Sequence, residues 1–212
     1  MANVSTPFGL KPVKHLDGSA WNSAVTAYYI PSTDTAAYYI GDAVRSVADG
    51  DLITGATGVT LYGTRNAAST TGAMRGVVVG IGTAVATPAG TSIQWFDPDN
   101  LSLTFIPATK LKNYYVAVVD DPTVIFEVQA DTIANTAFNK NAPFFVATAP
   151  TAPVNKSASY VQGSAAAVTQ ALPLRIVGAP QRPDDDLSAP GTAAKVYVKI
   201  NQHELAGNTV GV

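Results

Sequence analysis

The side chains with the widest chemical range are two histidines, His15 and His203, and 15 carboxylates in a chain without cysteine. The histidines stand far apart in sequence, and neither has a partner at metal-ligand spacing. HEL at 203–205 lacks the second histidine of the HExxH zinc motif. Each reads as a surface histidine near a terminus. Acidic residues gather in DPDN at 97–100, at Asp120–Asp121 and at 184–186. A calcium loop needs oxygen ligands at fixed spacings, closed by a bidentate carboxylate. DPDN supplies a fragment of one, and Asx residues beside proline more often form turns. Glycoside hydrolysis needs two carboxylates across a cleft, and the sequence singles out no pair. GxSxG is absent. The glycines of GVVVGIG at 76–82 interrupt a strand, whereas a dinucleotide fingerprint opens a helix. No catalytic, metal-binding or cofactor-binding residue is assigned, and the chain reads as a non-enzyme.

Composition narrows the classes further. The 212 residues suit one domain, and a chain of this length buries roughly 70% of its unfolded surface without disulfides or metals. Charged residues are 13% of the chain, against about 25% in ordinary globular proteins. Hydrophobic residues are 47%. The surface is therefore largely Ser, Thr, Asn, Gln, Ala and Gly, as in proteins that live assembled. A net charge of −2 with no basic cluster argues against phosphate-driven nucleic-acid binding. No run of about 18 apolar residues predicts a membrane span, and the first ten residues lack the pattern of a secretory signal.

The elements that would position any site are short strands. TVIFEVQ, LPLRIVG and KVYVKIN alternate apolar and polar residues, as does LSLTFIP, with Leu101, Leu103 and Phe105 on one face. Period-two alternation between turn residues predicts antiparallel sheet with one wet face. YYVAVV at 114–119 is apolar on both faces, which fits a strand buried on both sides or covered by a partner subunit. AYYI occurs at 27–30 and again at 37–40, an echo that would make a hairpin but that coincidence also explains. One short helix is predicted within DTIANTAFNK at 131–140. Long irregular segments at 48–60, 66–74, 148–159 and 180–192 exceed usual connector lengths and suit functional arms.

The fold expected is all-β: an antiparallel β-barrel or jelly-roll-like sandwich with an extended N-terminal arm and long loops. IGDAVRS and RGVVVGI are placed in one tightly curved barrel, because a Gly-Asp turn and a glycine-bounded valine strand suit such curvature. The organisation is an arm at 1–22, a single β domain at 23–205 with a variable loop region at 141–171, and a tail at 206–212. Adjacent aromatics in strands face opposite ways, so one of each pair is free for a core, a ligand or a neighbour. Interface cores favour aromatics, and a carbohydrate platform would use the same residues.

Four stretches together resemble a known group. They are the opening MANVSTPFGLKPVKHLDGSAWN, YYIPSTDTAAYYIGDAV, VAVVDDPTVIFEVQAD, and LPLRIVGAPQRPDDD followed by AKVYVKINQHEL. In this order they resemble structural proteins encoded in the head-gene region of tailed bacteriophages, over most of the chain from residue 1 to about residue 205. The stretch between 141 and 171 matches nothing in that pattern. The resemblance implies a capsid decoration or cement protein: made in the host cytoplasm, residing on the virion surface, binding the major capsid protein and forming a dimer or trimer. Another virion component (minor capsid, head–tail or fibre-associated) and a carbohydrate-binding host-attachment module are the alternatives. No nucleic acid, membrane or cofactor is expected as a partner.

A strand-adding arm suits such a protein, because main-chain hydrogen bonds hold it on a neighbour's sheet edge. The N-terminal segment is expected to dock Phe8, Leu10, Val13 and Trp21 on a capsid subunit or sister copy, with Tyr29, Tyr39 and Tyr115 as further interface residues. Its alternative is to fold back and cap its own sheet.

Overall fold

A computed structural model describes residues 3–87, 90–148, 156–187 and 192–206. Their sixteen strands are β1 (Lys11–His15), β2 (Thr26–Ile30), β3 (Tyr38–Tyr39), β4 (Ala43–Gly50), β5 (Thr57–Leu61), β6 (Ala67–Ser69), β7 (Gly76–Thr87), β8 (Gly90–Gln94), β9 (Phe105–Ile106), β10 (Tyr114–Val119), β11 (Val124–Gln129), β12 (Asn141–Ala142), β13 (Phe144–Val146), β14 (Tyr160–Val161), β15 (Leu174–Gly178) and β16 (Lys195–Ile200). The fold is all-β. Among the described residues helix is limited to two 3-10 turns, Asn135–Ala137 and Gly163–Ala165, the first inside the segment predicted to be helical. No helix among the described residues is long and apolar enough to cross a membrane.

One sheet runs β10-β2-β5-β4-β7-β8, and an additional β10–β7 pairing closes its first five strands into a ring. Within that barrel β4 pairs with β7, so IGDAVRS and RGVVVGI share it as expected. The second large sheet has the order β1-β11-β16-β15-β12. One continuous core joins them. β10 pairs with β2 on one edge and β7 on the other, and it is buried at all six positions: Tyr114, Val116 and Val118 enter the main core, while Tyr115 packs in a second cluster. β2 shows how alternation divides the apolar residues. Tyr28 and Ile30 enter the main core, while Tyr29 joins an outer cluster with Ala56 and Tyr115. The alternating residues of KVYVKIN behave as expected, with Val196, Val198 and Ile200 buried.

Several expectations change. The AYYI echo makes no hairpin: β2 pairs with β10 and β5, whereas β3 pairs with β9. Of LSLTFIP only Phe105–Ile106 is strand, and Leu101 is exposed, because residues 97–103 form successive turns held by Asp97 and Asn100. The segment 48–60 is not an irregular arm, since the end of β4 and most of β5 occupy it. β11 has no wet face. Glu127 is covered by Arg182 at 2.6 Å, and the Gln129 amide donates to the carbonyls of Val4 and Ala193.

The N-terminal segment is built into the chain's own fold. β1 adds to β11 at the sheet edge, and residues 19–21 turn back over β1, with Trp21 N–H donating to the Val13 carbonyl. Within the 141–171 region, β12 and β13 are integral sheet members. Residues 149–155 of that region, residues 1–2 of the arm and residues 207–212 of the tail lie outside the described residues.

Candidate interaction surface

The seven residues expected at an interface divide by burial. Leu10, Tyr29, Tyr39 and Tyr115 are buried in the chain's own packing, and Phe8, Val13 and Trp21 are half-buried. Leu10 sits in the main core, which Trp21 also flanks. The apolar content of the terminus is thus satisfied largely by the chain itself. Beside it lies a groove of about 730 Å³, lined by Pro7, Phe8, Ile40 and Val79 together with Lys11 and Lys156.

Of the titratable residues first considered for chemistry, His15, His203 and Asp97 each bond to groups of the chain itself. Asp97 is buried and accepts from the Asp99 N–H and from Lys112 at 2.5 Å, which makes DPDN a turn with an ion pair. His15 Nδ1 lies 3.1 Å from the Thr123 hydroxyl and 3.5 Å from Asp121. His203 is not a surface group: it is 1% exposed, and its Nδ1 accepts from the Leu205 N–H at 3.0 Å. Among the described residues no three His, Asp or Glu side chains converge in a way that could hold a metal ion.

Two of the most exposed apolar side chains lie elsewhere, on a loop of the barrel. Between β4 and β5 the chain makes a tight loop whose tip carries Leu52, 101% exposed, and Ile53, 75% exposed. Asp51 holds that loop from inside. Its carboxylate accepts from the N–H groups of Ile53 and Thr54 at 3.1 and 3.0 Å, from the Thr54 hydroxyl at 2.5 Å and from Tyr115 OH at 2.6 Å. Gly55 takes a positive φ of 75°, and its N–H closes on the Asp51 carbonyl. These donors, the Thr54 and Tyr115 hydroxyls foremost, hold the Asp51 carboxyl down at about 2. Burial, followed by the bond to Asp51, pushes Tyr115 up to about 12. Ala56 then packs on Tyr115 and Tyr29, whose rings lie 5.8 Å apart.

Tyr115 links this loop to a second apolar group. Its Cα partner on β7 is Gly82, and Trp95 lies over that glycine. A Cβ at Gly82 would stand 2.2 Å from the Gln94 carbonyl and 3.0 Å from the Trp95 ring. That close approach is the reason for a glycine inside this strand. Trp95 and Phe96 remain half exposed, and Leu101 and Leu111 are almost fully so. Single exposed apolar side chains are ordinary. A stiff loop that presents two of them, beside half-exposed aromatics, is what binding surfaces are built from.

Sequence reasoning passed over Leu52 and Ile53. The available signal was LIT set between DGD and GAT, an apolar pair inside a Gly- and Asp-rich turn. A scan against protein-family models matches none, and searches of curated proteins and of solved structures find no match.

Proposed function

We propose that this chain is a bacteriophage capsid decoration protein that binds the outside of the head and cements contacts between major capsid subunits. The observation that carries the reading is the Asp51-clamped loop, which holds Leu52 and Ile53 out in solvent in a preset geometry. An anchor ordered before binding loses little entropy on docking. The four-block resemblance of the sequence supplies the identity of the partner. A low charge density suits a molecule whose surface becomes an interface. Cementing needs no catalytic group: a ligand that binds only the assembled shell stabilises it by mass action.

The test uses shells purified without this protein. Full-length chain is added back, and bound copies are counted against the major capsid protein. A ratio near one, or a simple fraction of it, supports decoration, and heated shells should then release DNA at a higher temperature. A few copies per particle would move the chain to a head–tail or fibre position. No binding to shells would end the reading. In the same assay Leu52→Ser with Ile53→Ser should weaken binding at least tenfold.

A further inference from the structure

The two large sheets treat their edges differently. In the five-stranded sheet, β1 is covered by the returning chain at Ala20–Trp21, and it carries Lys11 and Lys14. At the opposite edge β12 is two residues long and is bridged by Ala167. In the other sheet, among the described residues, the ring closure leaves β8 as the strand at the edge. Among the described residues β8 has β7 as its one strand partner, is five residues long, and is exposed over its first three residues. An open strand presents a row of main-chain donors and acceptors to any other strand, and natural proteins blunt such edges with charge, proline or a covering segment. β8 itself, GTSIQ, carries neither a charge nor a proline. Residues 76–96, the whole β7–β8 hairpin and the aromatic pair after it, contain no Asp, Glu, Lys or Arg.

We infer that β8 is a self-pairing edge, on which a second copy of this chain adds its own β8 antiparallel about a two-fold axis at Ser92. In an isologous contact each residue near the axis faces its own copy, so a charge there repels itself. An uncharged edge escapes that penalty, so it suits a second copy of this chain. The register follows from the centre of the strand. Ser92 meets Ser92 of the second copy, and Thr91 meets Ile93, a pair of β-branched residues on one face. Ile93 already packs on the Tyr29–Tyr115 cluster, so the joined sheet continues from one barrel into the next. Five residues are too few for a stable interface of about 1,000 Å² or more. Trp95 and Phe96, 48% and 51% exposed just beyond β8, supply further apolar area. The pairing does not depend on the capsid reading, and it holds for any partner the dimer meets.

Sedimentation velocity on the full chain, from 1 to 100 µM, tests this. The wild type should sediment as a dimer. Ser92→Lys, an exposed substitution outside the core, should give a folded monomer, with the dissociation constant raised more than tenfold. So should Ser92→Glu. An equimolar mixture of the two variants should dimerise again, because Lys then faces Glu across the axis. The chain lacks cysteine, so Ser92→Cys should cross-link to a single dimeric species under mild oxidation. A wild type that stays monomeric at 100 µM overturns the inference. So does a dimer that Ser92→Lys leaves intact, since its contact would then lie elsewhere.

Discussion

Gly9 and Gly41 meet backbone against backbone. A Cβ at Gly9 would lie 2.4 Å from the Gly41 carbonyl oxygen, and one at Gly41 would lie 2.7 Å from the carbonyl oxygen of Phe8. Both take positive φ, 74° and 94°. The crossing is pinned by Leu10 N–H to the Gly41 carbonyl at 2.9 Å, and by Gly9 N–H to the Ser159 carbonyl at 3.1 Å. Gly41 itself donates to the Val78 carbonyl on β7. The N-terminal segment is thereby tied to the barrel before it continues as β1 in the other sheet.

Gly9→Ala should therefore be severe. The left-handed backbone alone costs an alanine about 1–2 kcal/mol, and the overpacked contact adds about 1–3 kcal/mol. A loss of about 3 kcal/mol in urea unfolding is expected. Gly18→Ala is the control, because Gly18 also has a positive φ, 91°, but meets nothing within 4 Å. It should lose only about 1 kcal/mol. Equal losses at the two positions would show that the close approach does not matter.

Lys110 is a buried cation with a full set of acceptors. Its side chain is 0% exposed, and Nζ donates to the carbonyls of Asp34 and Ala36, both at 2.6 Å, and to the Asp34 carboxylate at 3.2 Å. Burial lowers its pKa, and the Asp34 carboxylate opposes that shift. The same carboxylate accepts from Tyr38 OH at 2.8 Å. Lys110→Met leaves the Asp34 and Ala36 carbonyls without this donor and the Asp34 carboxylate, which keeps the Tyr38 hydroxyl, without its cation. Breaking a buried pair from one side costs about 3–5 kcal/mol. The urea midpoint should fall accordingly, with the slope of the transition unchanged.

The fold class was legible because strand alternation is local. Val196, Val198 and Ile200 announced their face two residues at a time. The β4–β7 partnership was also legible, since a Gly-Asp turn and a glycine-bounded strand imply curvature. The destination of the N-terminal residues was not legible. Whether Leu10 enters its own core or another chain's depends on what Gly41 and Ser159 offer across more than 30 residues of sequence. Burial of His203 was hidden for the same reason: Met74 and the 201–206 turn meet only through long-range pairing. Leu52 and Ile53 were missed because exposure of an apolar pair depends on the Tyr115–Asp51 bond, formed between residues 64 positions apart.

His203 gives the molecule a pH dependence with a definite sign. Burial first, and then the Arg75 charge, bring its pKa down from 6.5 to about 4, against the opposing pull of Asp120 and Asp121. The unfolded chain takes up a proton near 6.5, whereas the folded chain resists it to about 4. Between those values the unfolded state holds more protons, so stability falls as pH falls. The contribution is complete above about 6.5 and gone below about 4. Its steepest slope is about 1.4 kcal/mol per pH unit. Urea midpoints measured from pH 7 to 4.5 should show this slope, and His203→Gln should flatten the curve relative to wild type. Parallel curves for the two proteins would rule out this histidine as the source.

Tyr115→Phe tests the clamp behind the exposed tip. The substitution removes the 2.6 Å donor to Asp51 but leaves the ring against Tyr29 and Ala56. Asp51 keeps its bonds from Thr54 and Ile53 and has solvent close by, so the global loss should be about 1 kcal/mol. The local effect should be larger. With one donor gone, the Asp51 carboxyl should rise from about 2 towards the ordinary carboxylate range, which an NMR titration of its side chain would follow. Amide exchange at Ile53 and Thr54 should quicken at least tenfold while exchange in β10 stays slow, because a loop can open without unfolding the barrel. If the tip acts as a preset anchor, the same variant should also bind shells more weakly than wild type, although Leu52 and Ile53 are untouched. Unchanged binding alongside faster loop exchange would mean that the apolar pair docks without needing to be held.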